Sequence, residues 1–158
     1  MDSIIIRPLV ATDGPAAGEV FFDAVQRGTM AEYTQEQRDA WAGAVHDPEG
    51  WTDRLDGVDG FAAEADGRVV GFMTIDADGH VDLAFIRSDA IGQGVGRQLY
   101  DAVEDRAKAL GATVMTTDAS LKARPFFERM GWHVVREQKP VRRGVELTNF
   151  RMEKVLTA

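Results

Sequence analysis

Ile91-Gly92-Gln93-Gly94-Val95-Gly96-Arg97 is the stretch on which the reading of this chain turns. Three glycines at alternate positions stand between a strand-like run, residues 80–86, and a helix-like run, residues 95–110. In that second run Leu99, Val103, Ala107 and Leu110 share one stripe, and Gly111 stops it. Glycine lets a chain bend sharply and lets a ligand come close to the main chain. A helix start carries N–H groups without intrahelical partners and a partial positive charge, so this junction suits a phosphate. The contact needs no basic side chain. A chain of net charge −8 can therefore still hold a diphosphate there.

The pattern around this turn supplies its setting. Residues 60–65, 68–76 and 80–86 are short strand-like runs, separated by Asp66-Gly67 and Asp78-Gly79. Both dipeptides are hairpin signals, so the middle of the chain reads as an antiparallel meander. Residues 112–117 form a strand after the helix, which requires a right-handed crossover and a locally parallel pair. Ser120 can cap a further helix, with Pro125 near its first turn and Gly131 at its end. Residues 132–137 and 145–154 finish as strands. On the other side, residues 3–7 are β-branched and end at Pro8. Thr12 or Asp13 caps a helix to about Arg27. Thr34, with Gln37 in capping-box spacing, starts another that runs to about Val45. Asp47-Pro48-Glu49-Gly50 breaks it, and residues 51–57 show no decisive pattern. The expectation is an α/β (α+β) fold: a mixed, mostly antiparallel sheet of about seven strands with helices on both faces. Its 158 residues fit one domain, 1–158.

Composition narrows the chemistry. No apolar run is long enough to span a bilayer, and no basic region followed by an apolar stretch opens the chain. There is no cysteine, which excludes disulfides and thiolate nucleophiles and fits a cytoplasmic protein. His46, His80 and His133 are dispersed and match no metal spacing, so no metal is expected. The 26 acidic against 18 basic residues leave no basic face for nucleic acid or an anionic membrane. Residues 139–143 are the nearest candidate and are too short. The acidic balance either favours cationic small molecules or serves solubility alone.

The Gly-rich turn fails two familiar patterns. A Walker A loop needs Gly, four residues, then Gly-Lys-Ser/Thr. A dinucleotide fingerprint needs Gly-x-Gly-x-x-Gly, and the third position is Arg97 or Leu99 in the two possible frames. The turn instead resembles motif A of the GNAT superfamily, Gln/Arg-x-x-Gly-x-Gly/Ala: Gly94 and Gly96 match, while Ile91 replaces the polar first residue. Residues 120–132 resemble the superfamily's motif B, Asn-x-x-Ala-x-x-Phe/Leu-Tyr-Glu-x-x-Gly-Phe. Ala123, Phe126, Glu128 and Gly131 match, and Ser120 and Trp132 stand as variants. The order of elements matches from Ser3 to Lys154. Residues 33–41 and 144–152 resemble a bacterial subgroup of uncharacterised members.

That resemblance implies an acetyl-CoA-dependent N-acetyltransferase, with acetyl-CoA as co-substrate and direct attack by an amine. The strands before the two motifs would part like a V around the pantetheine arm. Coenzyme contacts are implied at Ile91, Gly92, Gln93, Gly94, Val95, Gly96 and Arg97. In motif B they are implied at Ser120, Ala123, Phe126 and Phe127. Backbone groups of Phe85 and Ile86 would bond the pantetheine, and an N–H between Leu83 and Phe85 would face the thioester oxygen. Asp82 is the first candidate base and His80 the second; a strand-to-strand bond for Asp82 and an exposed turn position for His80 stay open.

The superfamily's motif B tyrosine, the usual proton donor to the thiolate, is Phe127 here. Water, Ser120 or Tyr33 would have to serve, Tyr100 being placed for packing. Tyr33, Trp41, Trp51 and Asp82 would line the acceptor pocket, with Glu32 and Glu36 as attractors of an ammonium. The partner implied is a small-molecule amine. The alternatives are a peptide or protein N-acetyltransferase, or a non-catalytic acyl-CoA sensor. Members are often dimers, so the resemblance also implies a homodimer.

Overall fold

The computed structural model describes residues 3–156. Strand β1, Ile4–Pro8, lies antiparallel to β2, Gly60–Ala65, and β2 to β3, Arg68–Thr74. Asp66 and Gly67 both take positive φ, 54° and 78°, which closes the β2–β3 hairpin with the twist the strands need.

The third strand-like run does not form one strand. It divides into β4, His80–Val81, and β5, Ala84–Ile86. Strand β5 completes a first sheet in the order β1-β2-β3-β5. Strand β4 runs parallel to β6, Val114–Ser120, in a second sheet. That sheet has the order β4-β6-β10-β7, with β7 at His133–Gln138 and β10 at Asn149–Val155. The division coincides with a contact from the neighbouring strand. The Thr74 N–H donates to the Leu83 carbonyl at 2.9 Å, but the Leu83 N–H donates to Thr74 Oγ1 at 3.0 Å. A side chain has taken the place of a main-chain acceptor, and the ladder ends there.

Pairing between β4 and β6 covers only His80 with Thr116 and Val81 with Thr117, reinforced by Thr117 Oγ1 donating to the Val81 carbonyl at 2.8 Å. Beyond that point β5 stays with β3 and β6 with β10. The two strands diverge, and the V-shaped split expected between them is present.

Helices cover both faces of the first sheet. Ala62 and Phe72 pack with Ala17, Val20, Trp51 and Leu55 beneath α1, Gly14–Gln26, and α3, Trp51–Leu55. Ala63 and Met73, on the other face, pack with Val95, Leu99 and Val103 of α4, Val95–Ala109. This is the period-two alternation of a sheet buried on both sides.

Several boundaries differ from the sequence reading. Residues 11–13 form a 3-10 turn before α1, because the Asp13 carboxylate does not cap. It accepts instead from both Arg7 terminal nitrogens, at 2.8 and 2.9 Å, and from the Val10 N–H at 2.9 Å. Helix α2, Gln35–Ala42, ends at Gly43, whose φ of 87° is left-handed, and stops short of Val45. Its capping box is formed as expected, Thr34 accepting from the Gln37 N–H. Residues 51–55 are the helix α3. The last helix, α5, Arg124–Arg129, starts late, and Ser120 Oγ accepts from the Ala123 N–H ahead of it. The final run also divides, into β10 and a hairpin of β8, Val141–Arg142, and β9, Val145–Glu146.

Candidate active site

The divergence of β5 from β6 leaves a cavity on each face of the sheet, and the alternation of β5 assigns its side chains to them. Leu83 and Phe85 line one cavity of about 310 Å³. Ala84 and Ile86 line the other, of about 360 Å³.

The second cavity is floored by the start of α4. Gly94 is the N-cap residue, with φ of 83°, and provides no side-chain cap. The first-turn N–H groups of Val95, Gly96 and Arg97 therefore have no intrahelical partner and open toward the cavity. Gly92, with φ of 82°, would carry a Cβ into empty space. A Cβ on Gly96 would lie 2.9 Å from Ile86 Cδ1 and 3.1 Å from Phe126 Cε1, so only glycine lets α4 sit this close to the wall. Ile91, Phe126, Phe127, Lys122 and Arg129 complete the lining. An apolar trough ending at bare amides and flanked by cations suits a long anion-tipped molecule. The residues present fit a coenzyme A diphosphate and arm.

The main chain along the split can be read from the ladder. Phe85 pairs with Phe72, and the bonds from the Arg87 N–H to the Val70 carbonyl and from the Thr74 N–H to Leu83 fix which pairs exchange hydrogen bonds. By antiparallel alternation Phe85 spends its polar groups on β3, while Ala84 and Ile86 turn theirs to the gap. Of the N–H groups between Leu83 and Phe85, the Ala84 donor is the one that faces it.

The first cavity is the polar one. Asp82, exposed, and His80, half-buried, both line it, as do Asp118 and Ser120. His80 Nδ1 lies 2.8 Å from Thr116 Oγ1, which orients the ring and leaves Nε2 to the cavity. Tyr33, Phe21, Trp41 and Phe85 make an aromatic wall: Phe21 meets Phe85 edge-on at 4.9 Å between centroids, and Tyr33 meets Trp41 at 5.5 Å. The Tyr33 hydroxyl donates to the Thr148 carbonyl and accepts from the Leu121 N–H at 2.9 Å. Burial pushes its pKa up.

Some residues singled out in the sequence stand elsewhere. Gln93 lines a shallow surface pocket with Arg68 and Asp89, because the turn points it away from the trough. Ala123 packs against the core ahead of α5. The Leu83 and Phe85 side chains and Ser120 belong to the acid-lined cavity, not the trough. Trp51 is buried under α1, where a Cβ on Gly18 would come within 2.7 Å of its ring. Glu32 and Glu36 do not line the polar cavity. Tyr100 is held behind α4, its hydroxyl donating to Glu104 at 2.7 Å and accepting from Trp132 Nε1 at 3.0 Å. Phe127 is buried against Trp132.

Sequence reasoning missed Arg54, Asp118, Arg142 and Asn149 on the polar cavity and Lys122 and Arg129 on the trough. Among the described residues no helix is long and apolar enough to cross a membrane, and no group of three His, Cys, Asp or Glu is placed to hold a metal.

Comparison with known proteins agrees with this arrangement. The family model described as an acetyltransferase (GNAT) domain matches residues 29–154. The uncharacterized N-acetyltransferase YafP of Escherichia coli strain K12 is 30% identical over 152 residues, 96% of each chain. The crystal structure of a GCN5-related N-acetyltransferase from Rhodopseudomonas palustris superposes with a TM-score of 0.90 at 32% identity, covering 99% of this chain and 98% of that one. The PaiA N-acetyltransferase of Thermoplasma acidophilum, solved in complex with coenzyme A, shares the fold at 19% identity. Its TM-score is 0.76, over 98% of this chain and 99% of that one. With a glycine-capped helix start, two parting strands and a cavity on either side of them, the chain belongs to the GNAT family of acetyltransferases.

Proposed function

We propose that this acyltransferase moves the acetyl group of acetyl-CoA to the primary amine of a small molecule, both being bound at once. The observation that carries this reading is the pair of cavities meeting across a single unpaired stretch, β5 against β6. A donor lying in the trough and an acceptor in the polar cavity are brought into contact there and nowhere else. Holding two reactants in attack geometry supplies up to roughly 7–11 kcal/mol.

The amine nitrogen attacks the thioester carbon, the C–S bond breaks, and the nitrogen proton passes to a base. Asp82 and His80 are the bases facing the acceptor side, directly or through a water. The Ala84 N–H supports the charge that gathers on the thioester oxygen. The departing sulfur needs a proton. Phe127 has none to give, and the Tyr33 hydroxyl proton is bound to the Thr148 carbonyl. Ser120 uses a lone pair to accept from Ala123, so its own O–H is left to donate. Ser120 is assigned as donor on that ground.

The aromatic wall and the volume of about 310 Å³ favour a small acceptor over a folded protein. Thiol release on mixing the protein with acetyl-CoA and an amine panel tests the reading, with mass spectrometry locating the acetyl on nitrogen. Thiol release with small amines and none with peptides is the expected result. Coenzyme binding without release for any amine would leave the sensor alternative standing and overturn catalysis.

A further inference from the structure

We infer that the acceptor is an amino acid or amino-carboxylate with an apolar body, whose carboxylate is held by Arg54 and Arg142. This rests on the acetyl-transfer reading and specifies its substrate.

The basic side chains sort by the partners they find. The chain carries an excess of acids, 26 against 18 bases, so a cation finds a carboxylate easily. Most do: Arg7, Arg68, Arg87, Arg106, Arg151 and Lys154 are among those in ion pairs. Arg38 and Arg143 donate to main-chain carbonyls instead, and Arg142 Nη1 donates only to the carbonyl of its neighbour Val141, at 3.3 Å. Among the described residues, the basic side chains left without an acidic partner are Arg54, Lys122, Arg129, Arg136 and Arg142. Lys122 and Arg129 line the trough, where the coenzyme's phosphates give them a purpose. Arg54 and Arg142 line the polar cavity. Arg136 stands on the outer strand β7.

The two arginines come from elements far apart in sequence; the Arg54 side chain is held, and so is the hairpin that carries Arg142. The Arg54 guanidinium lies over the Trp51 ring, 4.6 Å from its centroid. Arg142 rides on the β8–β9 hairpin. That hairpin is pinned to α2 by Arg143 Nη1 donating to the Ala40 carbonyl at 2.8 Å and Gln37 Nε2 donating to the Glu146 carbonyl at 3.1 Å. A guanidinium presents a fork that matches a carboxylate, and two solvent-exposed ones on one cavity can take a carboxylate in place of water. The same cavity presents Asp82 at the split for an ammonium and Phe21, Trp41 and Phe85 for an apolar body. Ammonium, apolar body and carboxylate on one small molecule describe an amino acid. The acidic balance of the whole chain either favoured cationic small molecules or served solubility alone; the cavity itself carries both signs.

The test compares matched pairs that differ only in the carboxylate: phenylalanine with phenethylamine, and leucine with isoamylamine. Thiol release gives kcat/KM for each, and calorimetry on the coenzyme A-saturated protein gives binding without turnover. The expected result is a preference of roughly ten- to hundredfold for the carboxylate member in kcat/KM, carried by KM. Arg54→Gln combined with Arg142→Gln should bring that ratio close to one, and the double lysine variant should keep part of it. Equal or better use of the decarboxylated amines overturns the proposal and leaves acetyl transfer standing. Turnover of neither series, with coenzyme still bound, overturns the transfer reading and this proposal with it.

Discussion

Gly94 is where a single side chain would matter most. Its φ of 83° caps α4 without covering the first-turn amides. Gly94→Glu adds both a strained backbone and a negative charge facing a polyanion. Acetyl-CoA affinity should fall by at least roughly a hundredfold in calorimetry. Gly94→Ala, which adds strain without charge, should lose much less; equal losses would contradict a phosphate at this position. Asp82→Asn should lower kcat by roughly a hundredfold or more with little change in acetyl-CoA affinity. Unchanged turnover would hand the base role to His80. Ser120→Ala should lower kcat by roughly tenfold or more while costing only about 1 kcal/mol of stability through the lost turn hydrogen bond to Ala123. Adding Phe127→Tyr to that variant should restore part of the rate. An undiminished kcat in Ser120→Ala would assign the proton to water.

The elements show why some of this was legible in the sequence and some was not. The α4 stripe, the Asp66-Gly67 hairpin and the Thr34 capping box are local patterns, and each produced its element; Asp78-Gly79 turns the chain, but the strand after it joins the second sheet. The split of residues 80–86 is not local. His80 to Ile86 reads as uninterrupted strand, and what divides it is Thr74 Oγ1, on another strand, taking the Leu83 N–H. Thr74 and Leu83 are 2% and 6% exposed, so the bond is dry. Thr74→Val should leave a buried donor unmet and cost about 1–3 kcal/mol in chemical denaturation, and Thr74→Ser should recover most of it.

At the other end of the sheet, Asp13 was expected to cap α1 and instead clamps Arg7. Arg7 holds the Asp13 carboxyl below its ordinary value of 3.8. The clamp's stabilisation is therefore complete above that value and is lost as the pH falls through the lower folded one. Asp13→Asn should cost about 1–2 kcal/mol at neutral pH and flatten the acid limb of stability. Equal acid sensitivity in the variant would show that the clamp contributes nothing.

Across the whole molecule, the trough was readable because its chemistry sits in one contiguous motif. The polar cavity was readable only in part, through Tyr33, Trp41, Asp82 and His80, because its walls come from α1, α2, α3, β4, β5, β6, β10 and the β8–β9 hairpin. Arg54 and Arg142 carry no sequence signal; only the fold shows that both lack acidic partners and line one cavity. Gln93 shows the opposite failure, since its place inside the motif says nothing of which way a turn points it.

The central claim is that bare amides at the start of α4 hold the coenzyme's diphosphate, so that its acyl end reaches the gap between β5 and β6. A crystal structure with acetyl-CoA tests it most directly. The account predicts diphosphate oxygens within hydrogen-bond distance of the Val95, Gly96 and Arg97 N–H groups and the thioester oxygen facing the Ala84 N–H. A coenzyme bound elsewhere, or β5 and β6 zipped together past Thr117 with the trough empty, would contradict it.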